Sequence, residues 1–318
     1  MNVRFLRTAA VAAAAIPLLL TACGGQSDGA EGDGESVSGE IAIDGSSTVA
    51  PLSEAAQELF AQEQPDVSIT VGTSGTSGGF ESFCGGNTDI SDASRPIEPE
   101  EQEVCEKNGV EYTELIVALD ALTVIANPDV GVDCITTDEL KTIWEPAAED
   151  SITNWNQVNP DFPDLPLNLF GPGTDSGTFD YFTDAINGEE GASRSDYEPS
   201  EDDNVIVDGV AGTEGAMGYL GFTYYEENSD SLAALAVDGG DGCITPSAET
   251  AQSGEYTPLS RPLYIYVSNS SYAEKSQAAG FVDYYIANLV EITEAARYIP
   301  LSEEQLAETE SALEGLGG

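Results

Sequence analysis

Residues 41–60 read IAIDGSSTVAPLSEAAQELF. The first five form a short apolar strand ending in glycine. Three hydroxyl residues follow, and apolar side chains then recur at helical spacing, with Pro51 in the first turn, where a missing N–H costs nothing. The unit is strand, hydroxyl loop, helix. It returns at 68–80 (SITVGTSGTSGGF) and at 168–179 (NLFGPGTDSGTF). A chain that alternates strands and helices in this way is α/β. In an open α/β sheet the carboxyl ends of strands and the amino ends of helices share one crevice. Helix starts carry unpaired N–H groups and a partial positive charge, so several that converge favour an anion without a cluster of basic residues. Any one such loop is an ordinary N-cap; three of a kind in one chain point to a site.

The rest of the chain fits this frame. DISDASRP at 89–96 reads as strand and turn, EPEEQEVCEKNG at 98–109 as a helix with acids in its first turn, and TTDELKTIWEP at 136–146 as another helix. YTELIVALDALTVIANP at 112–128 contains two strand-like runs, and RPLYIYVSNS at 261–270 is a clear strand. VIVDGVAGTEGAMGYLGF at 205–222 is glycine-rich with one strand-like stretch. FVDYYIANLV at 281–290 and the acidic end read as terminal helices. With 318 residues the chain can build two domains.

The first 23 residues read as an export signal. Arg4 and Arg7 precede the apolar run AAVAAAAIPLLL at 9–20, and LTAC ends at Cys23. The last four residues match a bacterial lipobox, which implies cleavage before Cys23 and acylation of that residue. Residues 24–38 are a polar tether. Beyond Cys23 the chain carries 58 acidic side chains against seven basic ones, a balance of −51. That charge argues against nucleic acid and anionic lipid as partners, leaving membrane attachment to the lipid anchor alone. The acids are spread along the chain, as a salt-adapted surface would have them.

Four cysteines remain after Cys23: Cys84, Cys105, Cys134 and Cys243. An even number in an exported chain points to two disulfides, with three pairings open. No metal or cofactor site is read: there is no histidine and no C-x-x-C. Without histidine a Ser-His-Asp triad is excluded. TDSGT lacks the first glycine of a nucleophile elbow, and no P-loop is present. The chain therefore reads as a non-enzyme. Arg95 is the sharpest single clue. It is one of four arginines beyond Cys23, it sits in a turn before Pro96, and its planar fork suits an oxyanion.

Taken together, DGSSTVAPLSEAAQELF, GTSGTSGGFESFC, TDISDASRPI, LKTIWEP, GPGTDSGTFDYFTDAI and PLSRPLYIYV resemble the PstS family, the periplasmic or lipid-anchored phosphate-binding proteins of bacterial ABC transporters. The resemblance runs from about residue 40 to about residue 300. It implies a two-lobed periplasmic-binding-protein fold of type II. Lobe I would comprise 39–120 and 262–318 and lobe II 121–261, joined by crossover segments near 119–123 and 258–264. Keeping each bridge within one lobe favours the pairs Cys84–Cys105 and Cys134–Cys243. Carried over by motif, Ser47, Thr48, Thr76 and Ser77 would bind phosphate from one lobe, with Ser94 and Arg95 beside them. Ser176, Gly177 and Thr178 would bind it from the other.

Two departures stand out. Many members have Asp where this chain has Ser94, and that Asp accepts a hydrogen bond from protonated phosphate and so rejects sulfate. Many also have Arg where this chain has Pro172. Arg95 could supply the missing cation, and Asp175 or Asp92 a substitute acceptor. The implied function is a monomeric, lipid-anchored receptor on the outer face of the cell membrane that delivers inorganic phosphate to inner-membrane ABC permease subunits. The rivals are a receptor for sulfate, molybdate or arsenate, a surface phosphatase, and a sensor on the same fold.

Overall fold

The computed structural model describes residues 37–174 and 176–316. The signal segment 1–23 with Cys23, the tether up to residue 36, and Asp175 lie outside the described residues.

The amino-terminal part holds the strands β1 (Gly39–Gly45), β2 (Val67–Val71) and β3 (Ile90–Ala93), with the helices α1 (Ala50–Glu63), α2 (Thr76–Cys84) and α3 (Pro99–Asn108). The strand β4 (Tyr112–Ala126) follows. The middle part contains β5 (Cys134–Thr136), α4 (Thr137–Trp144), α5 (Trp155–Val158), β6 (Asn168–Pro172), α6 (Gly177–Phe182), β7 (Glu198–Ser200), α7 (Asp203–Gly212), β8 (Ala216–Gly221) and α8 (Phe222–Glu227). Then come β9 (Ala233–Ala234), β10 (Ala236–Asp238), β11 (Cys243–Ile244), α9 (Ala248–Gln252) and the long return strand β12 (Ser260–Ser268). The chain closes with α10 (Asn269–Glu274), α11 (Ser276–Ala287), α12 (Leu289–Ala295) and α13 (Glu303–Leu316).

One mixed sheet runs in the order β2-β1-β3-β12-β4-β8-β6-β7, with β9 also paired to β4. The pairs β1–β2 and β1–β3 are parallel, as are β6–β7 and β6–β8. β12 and β4 run antiparallel between these two parallel sets, and β4 joins both: Tyr112–Ala121 pair with β12 and Leu122–Ala126 with β8. The expected two strand-like runs over 112–128 are thus a single 15-residue strand. Asp120 interrupts the apolar run without ending the strand, because its carboxylate meets Arg261 directly across the ladder.

β4 is buried almost throughout, as a strand covered on both faces must be. Beside β8 the core centres on Trp144, which meets Phe182, Tyr197 and Tyr219 edge-on, while Phe182 and Tyr219 stack at 3.7 Å. Each such ring contributes roughly 1.5–3 kcal/mol by burial. The segment 205–222 holds the one strand expected of it, β8, and a helix that its glycines concealed. Its first half is the helix α7, whose start is capped by Asp202 accepting from Asn204 N–H, and only its second half is a strand.

The disulfides are Cys84–Cys105 and Cys134–Cys243, the pairs favoured above. The first ties α2 to α3, and the second ties β5 to β11 across the small sheet β11-β10-β5.

Candidate functional site

All three strand–loop–helix units are present: β1 into α1, β2 into α2 and β6 into α6. The first two loops are stitched together through the backbone. Gly75 N–H donates to the Gly45 carbonyl at 2.9 Å, and Asp44 Oδ1 accepts from both Gly45 N–H (2.9 Å) and Ser74 N–H (3.0 Å). The loop after β3 joins them: Ser94 N–H donates to Thr76 Oγ1 at 3.2 Å, and the two hydroxyls lie 3.1 Å apart. Gly79 makes this closeness feasible. A Cβ there would stand 2.5 Å from the Gly45 Cα, so only glycine lets the first turn of α2 reach β1.

These loops form one wall of a cleft of about 500 Å³. Ser47, Thr48, Thr76, Ser77, Ser94 and Arg95 all line it, so six of the residues singled out in the sequence meet in one place. Ser47 and Ser77 are exposed, while Thr48 is buried, with its N–H donating to Ser46 Oγ and its carbonyl accepting from Tyr298 Oη. The first-turn N–H groups of α2 open on the same space, where a helix start favours an anion.

Residues 176–178 stand differently. Ser176 Oγ accepts from Thr178 N–H as the cap of α6. Gly177 packs on Thr48, and Thr178 lines a neighbouring depression together with Asp120 and Tyr298. Of the three, Gly177 touches the β1–α1 loop. The same helix instead presents Asp180 and Tyr181 to the cleft, with Asp184 and Glu190 beyond them. Burial pushes the Asp180 carboxyl upward and Glu190 adds to the shift, against the pull of Arg261.

The two cleft arginines differ. Arg95 makes a fork to Glu101, with Nη1–Oε2 at 2.9 Å and Nη2–Oε1 at 2.8 Å; its Nε lies 3.5 Å from Glu98, and its Nη2 donates to Ser77 Oγ at 2.9 Å. Arg261 was not anticipated. Its Nε meets Asp120 Oδ2 at 3.3 Å, its Nη2 donates to Thr48 Oγ1 at 3.2 Å, and its Cζ lies 3.7 Å from the centre of the Tyr181 ring. A signal was available: the tripeptide Ser-Arg-Pro occurs both at 94–96 and at 260–262. Asp92, considered as an acceptor, is fully buried, and its carboxylate accepts from Ser53 Oγ at 2.9 Å away from the cleft.

Residues 30–288 match the PBP superfamily domain. The chain is 51% identical over 265 residues to Protein SphX of Synechocystis sp., covering 83% of this chain and 79% of that protein. It is 37% identical over 303 residues to the phosphate-binding protein PstS of Staphylococcus saprophyticus, covering 95% of this chain and 92% of that one. A crystal structure described as a possible phosphate binding protein from Planctomyces limnophilus superposes with a TM-score of 0.83 at 40% identity, covering 88% of this chain and 99% of that chain.

Proposed function

Since this chain belongs to the PBP superfamily and, within it, to the PstS family of phosphate-binding proteins, we propose that it is a receptor for inorganic phosphate, which it binds in the cleft lined by Ser47, Thr48, Thr76, Ser77, Ser94 and Arg95. The observation that carries this reading is the convergence of hydroxyls and helix starts from consecutive strand–loop–helix units on one cleft. Each hydrogen bond to the ion would contribute roughly 1.5–3 kcal/mol, offset by desolvation and ordering. Ser176, Gly177 and Thr178 would act through the contact of Gly177 with Thr48, which couples the start of α6 to the loop that holds the ion.

The remaining parts of the proposal follow from the sequence. Cys23 would carry a lipid anchor and 24–38 would tether the receptor to the outer face of the membrane. There it would pass phosphate, as a monomer, to the permease of an ABC transporter. Lobe I (39–120 and 262–318) and lobe II (121–261) would close on the ion, because it touches both only in the closed form. The acidic surface would suit high salt, which screens its repulsion.

Selectivity would rest on the acidic walls of the cleft. Glu98, Asp180, Asp184 and Glu190 repel a proton-free dianion but accept a hydrogen bond from a protonated one. Equilibrium dialysis of the anion-free protein against labelled phosphate, with sulfate, arsenate or molybdate as competitor, tests the reading. Retention of label that sulfate fails to displace supports it; absence of retention rejects it.

A further inference from the structure

The cleft has more acids than bases on its walls, so a bound anion needs a cation whose charge is not already spent. Arg95 does not meet that need. Its fork faces Glu101, its Nε faces Glu98, and its remaining donors go to Ser77 Oγ and to the Pro96 carbonyl. It fixes the Ser77 hydroxyl, and its charge is balanced by two carboxylates.

Arg261 is built otherwise. Its side chain is one-fifth exposed and lines the cleft. Asp120 meets only Nε, at the long distance of 3.3 Å. Nη2 reaches Thr48, and Nη1 has no protein acceptor among the described residues. The guanidinium carbon lies over the Tyr181 ring, 3.7 Å from its centre, which holds the group against α6. Arg261 therefore touches the β1–α1 loop on one side and α6 on the other, at the point where β12 pairs with β4.

We infer that Arg261 is the cation that meets the bound anion, through Nη1 and the free edge of Nη2, and that Arg95 serves to hold Ser77. The inference rests on the phosphate-receptor reading for the identity of the anion but not for its charge.

The test is calorimetric titration of the anion-free protein and of Arg261→Gln, Arg261→Lys and Arg95→Gln. Arg261→Gln is expected to weaken phosphate binding by about a hundredfold, the usual effect of removing a buried charged partner. Arg261→Lys should recover part of the loss, and Arg95→Gln should cost less than tenfold. Should Arg261→Gln fail to fold, Arg261→Gln with Asp120→Asn removes the buried pair together and takes its place. An affinity for the Arg261 variants within threefold of the parent, or a larger loss for Arg95→Gln, overturns the inference. If the parent is silent to phosphate but titrates with sulfate or molybdate, the phosphate reading falls. The same variants titrated with that oxyanion then decide the role of Arg261.

Discussion

Gly177, the first residue of α6, lies against Thr48 so closely that a Cβ on it would stand 2.5 Å from Thr48 Oγ1 and 3.3 Å from the Thr48 backbone. Two loops 129 positions apart in the sequence thus share one contact, and the hydroxyl in that contact also accepts from Arg261. Gly177→Ala must push α6 away from Thr48. We expect phosphate affinity to fall by about tenfold, the cost of one charge-assisted hydrogen bond lost through displacement. Calorimetry on the folded variant checks this, and unchanged affinity would separate the DSGT segment from the site.

Asp180 stands on the same helix, half-buried, with its carboxyl raised by burial and by Glu190. At neutral pH phosphate has a proton to donate and sulfate has none. A carboxylate facing the ion therefore favours the first and repels the second. Asp180→Asn should narrow the preference for phosphate over sulfate by about tenfold or more. Competition titration reads the ratio; a ratio equal to that of the parent would remove Asp180 from selectivity.

Asp92 predicts a pH dependence of stability. Burial pushes its carboxyl up to about 7; the Ser53 hydrogen bond opposes the shift, and Asp44 and Glu54 add to it. Between about pH 4 and about pH 7 the folded protein keeps a proton that the unfolded chain has released, so stability falls as pH rises through that window. Asp92→Asn removes this loss. Its stability relative to the parent should therefore be greater at about pH 8 than at about pH 5 by urea unfolding. A difference that is the same at both values would contradict the assignment.

The two disulfides close loops of different length, with sequence separations of 21 and 109 residues. On the chain-entropy account, replacing Cys84 and Cys105 by Ser costs about 3 kcal/mol and replacing Cys134 and Cys243 about 4.7 kcal/mol. Denaturant unfolding of the two double variants orders them. The first should also weaken phosphate binding, because it unties α2, which carries Thr76 and Ser77, from α3, which carries Glu101.

Much of this was readable from local pattern. The strand–loop–helix units announced themselves through glycine, hydroxyls and helical spacing, and six of their residues meet in the cleft. What escaped was tertiary. Arg261 pairs with Asp120 across 141 positions of sequence, and only the register of β12 on β4 brings them together. Asp120 looked like a break in an apolar run because its partner was out of view. The helix α7 was hidden by Gly209 and Gly212; Gly209 is there because the Phe170 ring occupies the space that a side chain would need. The placement of Ser176 and Thr178 beside the cleft depends on how closely α6 approaches Thr48, which no spacing in the sequence records.

The most direct test is a crystal structure of the protein grown with phosphate. The anion should lie in the cleft, within hydrogen-bond distance of Thr76, Ser77 and Arg261 Nη1, with Arg95 still forked on Glu101. An anion bound elsewhere, or one in the cleft held by Arg95 with no contact from Arg261, would contradict the account.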